Sequence, residues 1–134
     1  MLSAEFVATW SPRLLAVLRI VAALIFLAHG TQKLFGFPAS PRPMTVEPFS
    51  LIGLSAVLEL VCGGMLLVGF RTRVAAFVAS GEMAFAYFLA HAPRSIFPVN
   101  NNGDAAILYC FVFLYLAVAG GGAGTLDSRR RQPA

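Results

Sequence analysis

The chain has 134 residues, of which 58% are hydrophobic and only 12% charged, against roughly 45–50% and 25% in a soluble domain. So few charges leave no means of covering a water-facing surface, which excludes an ordinary soluble fold. The net charge of +4 is not a nucleic-acid footprint, because the basic residues form no groove-sized patch with interleaved aromatics.

Taken in chain order, the apolar residues fall into blocks long enough for a bilayer core about 30 Å thick. The first runs from Leu14 to Gly30 and continues to Leu34. It is too long for a signal-peptide core and lacks a small-residue cleavage site, so it reads as a retained helix. Arg19, His29 and Lys33 fall within an arc of roughly 80° on it, at about 100° per residue. This polar seam faces the bundle, with His29 and Lys33 one turn apart at its outer mouth. Between residues 35 and 50, Pro38, Pro41, Pro43 and Pro48 forbid a regular helix. Phe35, Phe37, Met44 and Phe49 place that loop on the membrane interface as an extended cover.

The second block, Leu51 to Phe70, contains Glu59. Helical spacing sets Ser55, Cys62 and Gly63 beside it, a small-residue face suited to close packing. Arg71-Thr72-Arg73 then forces a tight hairpin into the third block, Val74 to His91. Glu82 lies there among Ala75, Ala79, Ala86 and Ala90, at nearly the same distance from the turn as Glu59. After NNNGD, with Asp104 suited to a helix N-terminus, the fourth block runs from Ala105 to Gly121. The chain therefore reads as all-α: one domain over residues 1–134, a four-transmembrane-helix bundle with helices at about 14–34, 51–70, 74–91 and 105–121. Arg13, Arg71, Arg73 and Arg129 to Arg131 on one side, against Lys33, Arg42 and Arg94 on the other, predict both termini cytoplasmic. The Arg129–Arg131 tail is suited to anionic lipid.

Chemistry must come from polar groups at membrane depth, where each charge costs at least a few kcal/mol and faces the bundle interior. The sequence predicts an ion pair of Arg19 with Glu82 or Glu59, leaving the other carboxyl as a proton carrier. His29, Lys33, His91 and Asp104 are expected to converge as a vestibule beneath the proline-rich loop. The candidate proton-relay or ligand-binding residues are thus His29, Lys33, Glu59, Glu82, His91 and Asp104; a purely structural role for the glutamates stays open beside this. No metal-ligand spacing is present, and bis-histidine haem ligation by His29 and His91 is disfavoured for lack of room. Cys62 and Cys110 read as free thiols in apolar surroundings.

Several stretches in order resemble the DoxX family of small four-helix bacterial membrane proteins. They are Arg19 followed by IFLAHGTQKLFGF, the Glu59 helix ending in GFRTR, and the Glu82 helix with His91. NNNGDAAIL and the closing Gly122 to Asp127 segment complete them, so the resemblance spans Leu14 to Asp127. It implies a multi-pass protein of the bacterial inner membrane. It also implies a component of a quinone- or thiol-linked membrane redox system, one subunit of a membrane oxidoreductase rather than a whole enzyme, since no soluble redox domain or cofactor motif is present. Quinone is the cofactor class so implied, and a soluble or membrane redox protein the partner beside the lipid bilayer. A small proton-coupled transporter and a structural or assembly subunit for a redox enzyme are the alternatives, and oligomer formation is left open.

Overall fold

A computed structural model describes residues 2–41, 46, 47 and 49–130, and all regular structure among them is helical. Arg42, Pro43, Met44, Pro48 and Arg131 lie outside the described residues, so the expected proline-rich cover is described only in part.

Helix α1 spans Ala4–Phe35. It begins well before the apolar block because the Ser3 side chain accepts the Phe6 N–H at 3.2 Å, a local N-cap. Its 32 residues are roughly 48 Å long, more than the about 30 Å that a hydrocarbon core requires. Gly36 ends it in a left-handed cap. Helix α2 spans Leu51–Val68 with Ser50 as N-cap. Helix α3 spans Thr72–Ala86 and passes into a π-helical turn over Tyr87–His91. A short α4, Pro98–Asn101, precedes α5, Asp104–Ala119, and a short α6, Leu126–Arg129, follows it. Helices α1, α2 and the α3 unit have the length and apolarity to cross a membrane; α5 is a shorter apolar helix.

The long helices pack in the order α1, α2, α3, α5. Small residues set the approach: Ala23, Ala56, Ala76 and Ala79 are fully buried, and a Cβ on Gly30 would lie 3.0 Å from the Ala56 carbonyl of α2. Phe26 and Phe113 meet edge to face at 4.9 Å and join α1 to α5. Large apolar side chains point outward instead, with Phe77 67% and Phe85 70% exposed. Charge inside and aromatic carbon outside is the distribution a lipid solvent selects.

One correction concerns Arg19, which is 2% exposed. It pairs with neither Glu82 nor Glu59. Its Nε donates to the Gly121 carbonyl at 2.8 Å, and one terminal nitrogen donates to the carbonyls of Leu66 and, at 2.7 Å, Leu67. The reason is local: the last carbonyls of α2 are short of helical donors, Leu66 accepting only the cap N–H of Gly69 at 3.2 Å, and they carry the negative end of the helix dipole, so they receive the guanidinium first. Arg73 does the same for α5, donating to the Ala117 and Val118 carbonyls. Asp127 completes this end by accepting the N–H groups of Arg71 and Thr72 at 2.7 and 2.8 Å, which caps α3.

Replacing Arg19 with Met is expected to cost about 2–4 kcal/mol, since it takes their donor from the Leu67 and Gly121 carbonyls. Thermal unfolding in detergent micelles measures this. An Arg19→Met protein that melts with the wild type would refute the assignment.

Candidate functional site

Three helices bring polar side chains together away from both ends of the bundle. Lys33 reaches back from the last turn of α1, and its ammonium forms an ion pair with Glu59 of α2 at 2.8 Å. The same ammonium donates to the Ser55 hydroxyl at 2.9 Å. Ser55 then donates its own hydrogen to Glu82 of α3 at 2.7 Å. The result is a continuous chain, Glu59–Lys33–Ser55–Glu82, that crosses α1, α2 and α3.

The local sequence explains the geometry. Ser55 and Glu59 are four residues apart on α2 and therefore share a face. Gly30, one turn before Lys33 on α1, lets the two backbones approach, so the long lysine stem can lie along α2 with its head on the carboxylate. Glu59 is 2% exposed, and an unpaired charge at that depth would be costly. Each carboxyl uses only one oxygen in the chain. Glu59 Oε2 and Glu82 Oε2 are both buried and have no hydrogen-bond partner among the described residues. Buried polar atoms are rarely left unsatisfied, and two of them fall in this one cluster.

Among the described residues, no hydrogen bond or ion pair joins His29, Lys33, His91 and Asp104 to one another as the expected vestibule would. Lys33 joins the glutamates. His29, one turn earlier, is exposed and makes no hydrogen bond or ion pair among the described residues. His91 donates from Nδ1 to the Asn101 carbonyl at 3.0 Å and stacks on Tyr87, so it holds the loop before α5. Asp104 is exposed in the first turn of α5. The physical reason is direction: the lysine stem runs inward along α2, whereas the His91 ring is turned to the backbone of its own loop. Cys62 is buried, Cys110 half-buried, and both are free thiols.

Ser55 is the member of the cluster that sequence reasoning did not count as functional. The available signal was its position one turn before Glu59 on the same small-residue face, but a serine there also suits simple close packing. Asn101 was likewise missed as a structural residue; its side chain accepts the Gly103 N–H at 2.7 Å and donates to the Ser95 carbonyl at 2.8 Å.

The fold and the cluster together define a helical membrane protein with an ionisable site buried between its helices. The chain belongs to the DoxX family, whose model matches residues 14–92. It is 40% identical over 126 residues to an uncharacterised protein of Haemophilus influenzae, an alignment covering 90% of this chain and 92% of that one. It is also 37% identical over 65 residues to an uncharacterised membrane protein of Mycobacterium tuberculosis, covering 44% of this chain and 39% of the relative. No solved structure matches.

Removing one partner of the ion pair should hurt more than removing both. Lys33→Met is expected to lose about 3–5 kcal/mol by stranding Glu59. The double variant Lys33→Met, Glu59→Leu should regain much of that loss, a coupling that a double-mutant cycle of melting temperatures in micelles measures. Additive losses would contradict a direct pair.

Proposed function

We propose that this DoxX protein is a proton-handling component of a membrane redox system, with the proton held in the Glu59–Lys33–Ser55–Glu82 cluster and electron chemistry supplied by a quinone- or thiol-linked partner. The observation that carries this reading is the pair of buried oxygens without a partner among the described residues, Glu59 Oε2 and Glu82 Oε2. One ammonium faces two carboxyls, so a single proton brings the cluster to neutrality, and the two free oxygens give it alternative seats. Ser55, accepting from Lys33 while donating to Glu82, links the seats and positions both. His29, exposed one turn from Lys33, supplies a group that can exchange protons with the surroundings.

A second reading, a small proton-coupled transporter, is favoured by the placement of the same cluster where α1, α2 and α3 meet, since relative motion of those helices would expose it. The two differ in what moves with the proton. In either case the protein is a bacterial inner-membrane protein that crosses four times, with α5 as the fourth span and both termini in the cytoplasm.

Reconstitution into vesicles holding a pH-sensitive dye tests the shared claim. Under an imposed proton gradient the wild type is expected to conduct protons at least ~10-fold faster than Glu82→Gln, with Ser55→Ala in between, as for loss of a positioned proton carrier. Equal flux from wild type and Glu82→Gln would remove the proton role and favour an assembly subunit. For topology, a reporter fused after Ala134 that is active only when exported should stay silent; activity would reverse the orientation.

A further inference from the structure

Helix α1 packs chiefly on α2, and a cation fastens it toward each end of that contact. At the first, Arg19 donates to the carbonyls of Leu66, Leu67 and Gly121. Neither side of those bonds titrates, because a guanidinium stays charged and a carbonyl takes up no proton. At the second, Lys33 in the last turn of α1 is paired with Glu59 at 2.8 Å and bonded to Ser55 at 2.9 Å. Here the partner that carries the counter-charge is a carboxylate, which a proton neutralises. One fastening is permanent and the other titratable.

The charges in the cluster determine when the second fastening fails. With both glutamates ionised and Lys33 charged, the cluster carries one net negative charge. One proton makes it neutral, and the ammonium keeps an ionised carboxyl, either directly or through Ser55. A second proton leaves Lys33 with neutral acceptors only, and a buried ammonium without a counter-charge is costly. The other titratable groups on the packed helices are Arg19 and His29 on α1, Cys62 on α2, and Asp104, Tyr109 and Cys110 on α5. None of them bonds to the cluster among the described residues. Lys33 has a way out, since its side chain is 23% exposed against 3% for Glu59, and a long stem at a helix end carries its charge toward the headgroups.

Without Lys33, what holds this part of α1 on α2 is close contact at Gly30 and Gly63. Lipid replaces apolar contact of that kind at little cost. On its other flank α1 meets α5 through Phe26 and Phe113. Beside them it leaves an apolar groove of about 320 Å³, with Ala22 and Ile25 on one wall and Ala105 and Leu108 on the other. We propose that a second proton on the Glu59–Lys33–Ser55–Glu82 cluster releases Lys33, and that the C-terminal half of α1 then moves away from α2 while Arg19 keeps its N-terminal half in place. The inference rests on the reading of the cluster as a proton site and adds the motion that protonation sets off.

Distances between spin labels on the full-length protein in lipid nanodiscs test this. Labels at Phe35→Cys and Phe77→Cys follow the released end of α1 against α3, and labels at Leu14→Cys and Phe77→Cys follow the fixed end. All three positions are exposed, and Cys62→Ala with Cys110→Ala removes the natural thiols. Acid favours the released state because that state holds the extra proton. From about pH 8 to about pH 4, a span that brackets carboxyl groups in proteins, a longer Phe35–Phe77 distance is expected to appear. Its ratio to the shorter one should rise up to about 10-fold per pH unit, the limit for two states that differ by one bound proton. The Leu14–Phe77 distance should stay constant. Glu59→Gln with Glu82→Gln should show the longer distance at every pH, and adding Lys33→Met should restore the shorter one, because no cation is then stranded. A Phe35–Phe77 distance that stays constant in the wild type, or stays long in the triple variant, would overturn the release. Infrared spectra of the same samples separate the two claims. A protonated-carboxyl band with constant distances would overturn the release alone, whereas absence of that band at every pH would remove the proton site and the release with it.

Discussion

A polar group placed in hydrocarbon must find its partner within the protein, and that requirement organises this molecule. Arg19 makes the point most sharply. Its guanidinium is buried, and it draws the end of α2 and the turn at Gly121 onto α1 because their carbonyls are the acceptors within reach. The turn in turn brings Asp127 to the first amides of α3. One buried cation thus determines how the chain closes at that end, and the apolar surface contributes little selectivity, since lipid solvates it as well as a neighbouring helix does.

The same requirement operates differently at the other site. Lys33 and Glu59 satisfy each other, and Ser55 passes the hydrogen-bond chain to Glu82. Among the described residues satisfaction stops halfway, with one oxygen of each carboxyl left over. A purely structural cluster would be expected to close on itself, because an apolar replacement of equal shape is often as stable as a buried ion pair. Incomplete pairing at this depth is what makes the cluster, rather than the better-satisfied Arg19, the seat of the proposed chemistry.

The three long apolar helices were legible in the sequence because a block of apolar residues has the same meaning in any membrane helix. So were the inward faces of Glu59 and Glu82, which their small neighbours at helical spacing betray. The partner of each charge was not legible. Counting residues gives depth along a helix but not which acceptor is nearest: Arg19 was expected to find a carboxylate and found the open carbonyls at the end of α2. Lys33 was placed by its α-carbon at the mouth of the bundle, yet its stem carries the charge a turn or more inward. His91 and Asp104 shared a level with Lys33 in the sequence, but level does not give direction. The start of α1 at Ala4 was hidden for a different reason, since Ser11, Pro12 and Arg13 interrupt the apolar run and a proline reads as a helix start rather than as the interior residue that Pro12 is.

Infrared difference spectroscopy of the purified protein in lipid tests the central claim most directly, because it reports the proton itself. The expected result is a carboxylic-acid carbonyl band that shifts in heavy water, is lost in Glu82→Gln or redistributed in Glu59→Gln, and moves in Ser55→Ala. A spectrum in which both glutamates are carboxylates, unchanged by Ser55→Ala, would contradict a proton held between them.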